Sequence, residues 1–342
     1  MQKYVESLKE ALPNSTFERN WGALLSCVAA QDIDGEHNKR SIFYIFFLWM
    51  VSSWAAVTNG FQASARKVFR EHAKSMGEVM WNMGRDPDHV SSSFFDRFSR
   101  FNHEAKYGAA GWMALDLFYN YHEKVEPKLN GDLEAFWTRY WMGDMENRQA
   151  VTNRLKLVIR LLAHAFDRYS HLPEIRLLSI ASGSAQAVIA AMKELPHLNI
   201  RAALIDNDPS ALEKARKEFT EAGLSDRCEL IKDTTQCIDE VCARYKPHII
   251  EMVGFLDYRP TKKAIELISR IRENLPEDGM FITCNINHNR EKVFLSYMLL
   301  WPMIYRNQEE FLDILIQAGF LHENVLMLYE PFKIHGLAVC KK

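Results

Sequence analysis

The stretch from residue 175 to residue 208 constrains the fold of this chain more than any other. It begins with an apolar run, Ile175–Ile180, which is short enough for a buried strand, and a turn of small residues follows. A helical apolar pattern then leads to Pro196, and a second apolar run ends at Asp206. The order strand, tight turn, helix, strand predicts a βαβ unit whose two parallel strands end at one crevice. A carboxylate at that place can accept hydrogen bonds from both hydroxyls of a ribose.

The chain after residue 208 continues to alternate between helical and strand patterns. The sequence predicts strands over residues 228–231, 247–253, 280–286, 324–329 and 336–340. It predicts helices over residues 210–222, 235–245, 260–274, 291–300 and 308–318. The last two strands follow one another without a helix, which indicates an antiparallel hairpin at the edge of the sheet. These patterns predict an α/β fold with a mostly parallel, Rossmann-like sheet.

The residues ahead of this region, from 1 to about 165, carry almost only helical patterns. Helices are predicted over residues 1–12, 17–30, 40–57, 61–83, 105–124, 133–142 and 145–169, with one more from Phe94. The most apolar window, residues 42–57, is shorter than the ~20 residues that span a bilayer. We therefore expect a buried helix that ends at Asn59-Gly60, and no membrane span. The predicted organisation is a helical domain over residues 1–165 and a sheet domain over residues 166–342.

Aromatic residues are dense in the helical half, where seven of the eight tryptophans precede residue 142. Most of them are expected to pack between helices in the core. Some could instead line a pocket, with Tyr140 among the candidates, because a helical layer ahead of such a sheet is well placed to cover its crevice. The amphipathic first helix, residues 1–12, is hypothesised to be a mobile lid.

Charge and cysteine content exclude several classes of function. The formal net charge of −2 over 342 residues gives no strong footprint for nucleic acid. The six cysteines form no C-x-x-C pair, so we expect buried thiols in a reducing compartment, with no disulfide framework and no metal site. Residues 1–12 are charged and amphipathic, unlike a secretory leader, and a cytoplasmic protein is expected. The sequence leaves the oligomeric state open.

Polar residues follow three of the predicted parallel strands, where a crevice at the carboxyl ends is expected. They are Asp233 and Thr234 after the third strand, Gly254 and Tyr258 after the fourth, and Asn285 and His288 at the exit of the fifth. The glycine permits close approach of a ligand to the backbone, and the other side chains offer hydrogen-bond donors and acceptors. For the group after the fourth strand, a plain exit from strand to loop is the alternative interpretation.

Asn153 and Arg154 form a second polar group, ahead of the first strand. They precede an apolar helical run, so an arginine here is expected near the edge of the sheet. Its guanidinium could hold the carboxylate of a ligand through two parallel hydrogen bonds. A solvated basic helix face remains the other possibility.

The unit over residues 175–208 resembles the cofactor half of class I S-adenosylmethionine-dependent methyltransferases. The first motif of that family is an acid followed by alternating glycines. In this sequence the acid position is Ser179, and Gly183 remains while serine and alanine replace the other glycines. A βαβ unit without a ligand is the alternative, and a nicotinamide cofactor is disfavoured because the complete G-x-G-x-x-G turn is missing.

The resemblance implies S-adenosylmethionine as the cofactor and assigns several residues to it. Ser182 and Gly183 would form the turn beneath the ligand, and Asp206 with Asn207 would bind the ribose. The remaining candidates are Asp233 and Thr234 for the adenine, Gly254 for close backbone approach, and Asn153 and Arg154 for the amino-acid end. No metal is implied.

Three further patterns narrow the resemblance. They are A-V-x-N-R at residues 150–154, G-x-x-D-Y at residues 254–258 and W-x-x-I-Y-R at residues 301–306. They are similar to a bacterial subfamily that includes proteins making 3-hydroxy fatty acid methyl esters. The same patterns are similar to enzymes that cyclise S-adenosylmethionine to azetidine-2-carboxylate.

The resemblance implies an S-adenosylmethionine-dependent transferase of small-molecule, secondary metabolism, with a methyltransferase as the leading prediction. The first alternative is a cyclase that needs no external acceptor and releases methylthioadenosine. The second is a protein that binds the cofactor without catalysis. Tyr258, Asn285, His288 and Tyr140 are the candidates to deprotonate or orient an acceptor.

Overall fold

The computed structural model describes residues 35, 36, 38–69 and 93–342, which form two compact units. The sheet unit contains Asn153–Asn287 and Ile304–Lys342, and the helical unit contains Glu36–Thr152 and His288–Met303. The predicted domain boundary near residue 165 stays a prediction. The predicted helices over residues 1–12 and 17–30, with the lid hypothesis for the first, lie outside the described residues.

Helices and strands are numbered in chain order. The helices are α1 (Ile42–Phe69), α2 (Ser93–Asp96), α3 (Arg100–Tyr107), α4 (Trp112–Tyr119), α5 (Leu133–Thr138), α6 (Glu146–Arg168), α7 (Gln186–Glu194), α8 (Pro209–Glu221), α9 (Ile238–Tyr245), α10 (Thr261–Asn274), α11 (Lys292–Tyr297) and α12 (Gln308–Gln317). The strands are β1 (Ile175–Ile180), β2 (Ile200–Asp206), β3 (Cys228–Lys232), β4 (Ile249–Met252), β5 (Met280–Ile286), β6 (Val325–Tyr329) and β7 (His335–Lys341).

The seven strands form one sheet in the order β3-β2-β1-β4-β5-β7-β6. Strands β1 to β5 are parallel, whereas β7 is antiparallel to both β5 and β6. The predicted fold class, a mostly parallel Rossmann-like sheet with an antiparallel C-terminal hairpin, is confirmed. From β1 the chain adds β2 and β3 on one side of the sheet and then β4 and β5 on the other. Open α/β sheets bind ligands at this switch point between β1 and β4.

Successive side chains of each strand point to opposite faces of the sheet. On one face, Leu177, Ile249 and Cys284 belong to a core that α6 shares through Leu161 and Phe166. We call this the α6 face. The other face packs against α9, α10 and α12, with residues that include Leu178, Ile250 and Ala338. Both faces are apolar along most of the sheet, as expected for a parallel sheet covered on two sides.

In the helical unit, α1 departs from its prediction in two ways. It does not end at Asn59-Gly60 but continues to Phe69, because one glycine costs a growing helix only about 1 kcal/mol. It is also not buried all round: Phe43 is 83% exposed and Trp49 is 61% exposed, whereas Leu48 is 1% exposed. The helix therefore buries one face and leaves a broad apolar face open. Within the described residues, no helix meets the length and hydropathy required to cross a bilayer.

Aromatic packing in the helical unit largely follows the prediction of a helix-packing core. Trp141 is completely buried and stacks on Phe294 with ring centroids 5.4 Å apart. Phe118 stacks on Trp301 at 5.8 Å. The helix predicted over residues 105–124 is interrupted, because Gly108 ends α3 and Gly111 precedes α4.

Candidate functional site

The turn after β1 has an unusual backbone. Ala181, Gly183 and Ala185 have φ angles of 53°, 54° and 56°, so every second residue is left-handed. This conformation costs an alanine about 1–2 kcal/mol, whereas glycine adopts it freely. The turn therefore has the backbone conformation expected of alternating glycines, although Gly183 is the single glycine among residues 181–185.

Asp206, the last residue of β2, holds this turn in place. Its Oδ2 accepts a hydrogen bond from the Gly183 N–H at 2.8 Å, and its Oδ1 accepts one from the Asp208 N–H at 2.9 Å. Its backbone oxygen accepts the N–H of Asp233 at 3.1 Å. A carboxylate has about four lone-pair directions, so Asp206 retains acceptor capacity for a ligand.

Three other predicted residues lie at the carboxyl ends of β2 and β3, where they are exposed: Asn207, Asp233 and Thr234. The Thr234 N–H donates to Asp233 Oδ1 at 2.6 Å, and Thr234 Oγ1 accepts the Gln236 N–H at 3.3 Å. The first of these hydrogen bonds fixes the orientation of the Asp233 carboxylate. Ser182 lies in the turn itself, and its buried Oγ has no hydrogen-bond partner within the described chain.

A buried carboxyl group occupies the α6 face at the switch point of the sheet. Ser179 of β1 lies opposite Glu251 of β4, and its Oγ is 2.6 Å from Glu251 Oε2. Glu251 Oε1 accepts the N–H of Val253 at 3.0 Å. Burial raises the pKa of Glu251 to about 7, although these hydrogen bonds and the charge of Arg154 act against that rise. An acid of the neighbouring strand therefore lies directly beside Ser179.

Arg154 and Gly254 lie close together in the sheet unit. A Cβ on Gly254 would be 3.7 Å from Nη1 and Nη2 of Arg154, and the Gly254 N–H donates to Cys284 Sγ at 3.1 Å. Gly254 has a φ of 83°, which favours glycine. Arg154 is 3% exposed, so its interpretation as a solvated basic face is wrong. Its guanidinium is a buried cation on the α6 face.

Asn153 contacts a second buried acid, Glu330, through a side-chain hydrogen bond. Glu330 accepts the backbone N–H groups of Phe332 at 2.8 Å, Ile334 at 2.6 Å and His335 at 3.1 Å. Burial raises the pKa of Glu330 to about 7 against these hydrogen bonds. The turn between β6 and β7 is therefore folded around one carboxyl group.

Asn285 is committed to the protein itself. Its Nδ2 donates to the backbone oxygens of Ile286 at 3.0 Å and Ile304 at 3.1 Å, and its Oδ1 accepts from Arg306. The nearby carboxyl of Asp257 accepts the Ile286 N–H at 2.7 Å, and burial raises its pKa to about 6. With both amide hydrogens engaged, Asn285 is suited to a structural role more than to the predicted catalytic one.

The other three predicted catalytic residues fall in different units. Tyr258 is half-buried in a short 3-10 turn of the sheet unit, directly after Asp257. His288 and Tyr140 belong to the helical unit, where His288 is exposed. Tyr140 packs edge-on against Tyr44, with centroids 5.4 Å apart, and lines a cavity of about 560 Å³. Their assignment as catalytic residues stays a prediction.

Among the buried polar residues of the sheet unit, the predicted site does not include Glu251, Glu330 or His335. Two of these three have a weak signal in the sequence. Glu251 is a single acid inside an apolar strand, and His335 stands between Ile334 and Gly336 at the start of another. A lone polar residue in an apolar strand points to a buried polar partner, because an unpaired group there is costly.

Comparison with known proteins gives the fold and little more. No family model matches the chain, and no curated protein matches it. A possible exported protein from Bordetella parapertussis matches 85% of this chain and 96% of its own, with 14% identity and a TM-score of 0.57.

Two methyltransferase structures are more distant. Human N-acetylserotonin methyltransferase, in complex with SAM, matches 75% of this chain and 71% of its own, with 14% identity and a TM-score of 0.43. An O-methyltransferase family 2 protein from Planctomyces limnophilus, in complex with apigenin, matches 88% and 95%, with 14% identity and a TM-score of 0.44. Function must be argued from the site, because one fold supports many activities.

The left-handed alanines lead to a stability prediction. Replacing Ala181 or Ala185 with glycine removes a backbone cost of about 1–2 kcal/mol but adds roughly 0.5–1 kcal/mol of chain entropy to the unfolded state. We expect each variant to gain about 0.5–1 kcal/mol in thermal unfolding. Ala187→Gly, inside α7, is the control and should lose about 1 kcal/mol. Equal losses in all three variants would show that the turn is not left-handed.

Proposed function

We propose that this protein is an S-adenosylmethionine-dependent transferase that moves an alkyl group in small-molecule, secondary metabolism. One observation supports this more than any other: the left-handed turn after β1 is held by the carboxylate at the end of β2, with Gly183 N and Asp206 Oδ2 2.8 Å apart. Such a turn brings backbone N–H groups and a carboxylate to one place at the switch point of the sheet.

The residues at this edge fit the adenosine half of the cofactor. Asp206 has acceptor directions left for a ribose diol, and Asn207 stands beside it. Asp233, with its carboxylate oriented by the Thr234 N–H, suits the amino group of adenine. The buried Ser182 Oγ lacks a partner within the described chain, and a ligand group over the turn would supply one.

The α6 face fits the amino-acid half. Arg154 is a buried cation that suits a carboxylate, and Gly254 leaves room for a ligand beside it. Glu251 offers a carboxyl group to an ammonium. When bound, the cofactor supplies an alkyl group made reactive by the positive charge on its sulfur. The chain contributes the fixed placement of that group, which alone can provide much of a rate enhancement.

An assay that begins without an acceptor tests the proposal. The protein is incubated with S-adenosylmethionine alone, and the same reaction is then repeated with a panel of small hydroxylated acids. S-adenosylhomocysteine formed only with an acceptor would identify a methyltransferase, which is the result we expect. Methylthioadenosine and a cyclic amino acid formed without one would identify the cyclase.

Binding measurements complete this test. Tight binding of S-adenosylmethionine without turnover on any acceptor would indicate a binding protein and would contradict the proposed transferase. Absence of binding in calorimetry would contradict both the cofactor and the function. Nicotinamide dinucleotide serves as the comparison ligand and is expected not to bind, because the turn lacks the complete dinucleotide fingerprint.

A further inference from the structure

We propose that His335 is a further ligand-binding residue, whose ring N–H donates to the carboxylate at the amino-acid end of the cofactor, beside Arg154. This inference rests on the proposed function and adds a contact that neither the motifs nor the resemblance assigns. It places a histidine of the antiparallel strand β7 in the binding site.

His335 is 2% exposed, and neither of its ring nitrogens has a hydrogen-bond partner within the described chain. A neutral imidazole has one donor and one acceptor, and a buried group left unpaired costs about 1–3 kcal/mol. Native proteins rarely tolerate this cost without a reason, and a ligand that pairs with the ring supplies one.

The position of His335 also favours a contact with the ligand. His335 lies opposite Ile286, the last residue of β5, so it stands at the edge where the parallel strands end. The alternation along β7 puts His335 on the same face as Leu337, which is the α6 face. Arg154 is close enough for its charge to act on the ring: burial first, and then Arg154, lower the pKa of His335 well below its usual value. The N–H of a neutral ring at this place can donate to the same anion as the guanidinium.

The backbone around His335 is held by several hydrogen bonds. Glu330 accepts three backbone N–H groups of the turn that leads into His335, including that of His335 itself. Asn153, the neighbour of Arg154, also binds Glu330. The Glu330 carboxyl group therefore binds the backbone of His335 and also the side chain of Asn153, which precedes Arg154 in α6. Such support around a side chain is what a precise ligand contact requires.

Two ligands that differ in the amino-acid end test this contact. S-adenosylhomocysteine has the amino acid, and methylthioadenosine lacks it. We expect His335→Phe to weaken S-adenosylhomocysteine binding about 10-fold in calorimetry and to leave methylthioadenosine binding within about twofold, because the variant loses one hydrogen bond to a charged group. His335→Gln keeps an amide N–H and should recover most of the affinity.

The stability of the ligand-free protein provides an independent readout. His335→Phe removes a buried unpaired polar group, so its melting temperature should stay equal or rise, whereas a purely structural histidine would lower it. His171→Gln, at an exposed residue ahead of β1, is the matched control and should change the binding of neither ligand.

The outcomes separate this inference from the function on which it rests. If His335→Phe weakened the binding of both ligands equally, or of neither, the role of His335 would be overturned. The assignment of the cofactor would not be affected. Failure of the unmodified protein to bind either ligand would overturn the proposed function instead.

Discussion

Asp206→Ala is expected to weaken S-adenosylmethionine binding by about 100-fold or more in calorimetry. The carboxylate has two duties, and the substitution removes both. It takes away the acceptor proposed for the ribose hydroxyls, and each hydrogen bond to a charged group contributes about 1.5–3 kcal/mol. It also leaves the N–H groups of Gly183 and Asp208 without the acceptor that they have now. The turn that approaches the ligand would then lose its fixed conformation.

Asp208→Ala is the matched control for this experiment. Asp208 lies two residues further along, and its Oδ1 caps helix α8 by accepting the Ser210 N–H at 2.8 Å. Loss of this cap should cost about 1 kcal/mol of stability with little change in affinity. If Asp206→Ala bound S-adenosylmethionine as tightly as the unmodified protein, both the ligand and the location of the site would be wrong.

The sheet could be predicted closely because its strands carry their own signal. The predicted limits of β1 and β5 agree with the structure to the residue, and both strands are short apolar runs bounded by turn residues. Parallel strands buried on two faces need such runs, so little tertiary information is required to find them. The same reasoning placed Asp206 and Asp233 at one edge of the sheet.

The pairing between strands could not be predicted in the same way. Ser179 looked like the loss of an acid, whereas the register of β1 with β4 sets Glu251 directly opposite it. His335 reaches the edge only because β7 is inserted, antiparallel, beside β5. These contacts join residues far apart in the chain, and nothing in the local pattern of either residue encodes its partner.

In the helical unit, the sequence did not predict which face of α1 is buried. Residues 42–57 are apolar on every side, so periodicity alone gave no buried face for α1. In the structure Tyr44 and Leu48 are buried, while Phe43, Phe46 and Trp49 are exposed. Which face is covered depends on the neighbouring helices, and that information is not contained in the composition of the helix.

Glu251→Gln is expected to stabilise the protein at pH 8 and to have little effect at pH 5. Burial raises the pKa of Glu251 to about 7 from an ordinary value of 4.5. Between these two values the folded state binds more protons than the unfolded state, so stability falls as pH rises. Above pH 7 the ionised carboxylate costs on the order of 3 kcal/mol, at about 1.4 kcal/mol for each pKa unit. Glutamine cannot ionise, and it therefore avoids this cost.

The substitution can keep the local hydrogen bonds. The expected pH dependence therefore reports the ionisation of the Glu251 carboxyl and not a loss of its contacts. The amide oxygen can accept the Val253 N–H. The Ser179 hydroxyl, which donates to Glu251 Oε2, can rotate and accept from the amide nitrogen instead. Thermal unfolding should show a melting temperature higher by roughly 6–12 °C at pH 8, since 1 kcal/mol corresponds to about 2–4 °C in domains of 150–250 residues. Glu221→Gln, at the exposed end of α8, should show no such difference. An equal shift at both pH values would mean that Glu251 acts through packing, and that its carboxyl is already neutral at pH 8.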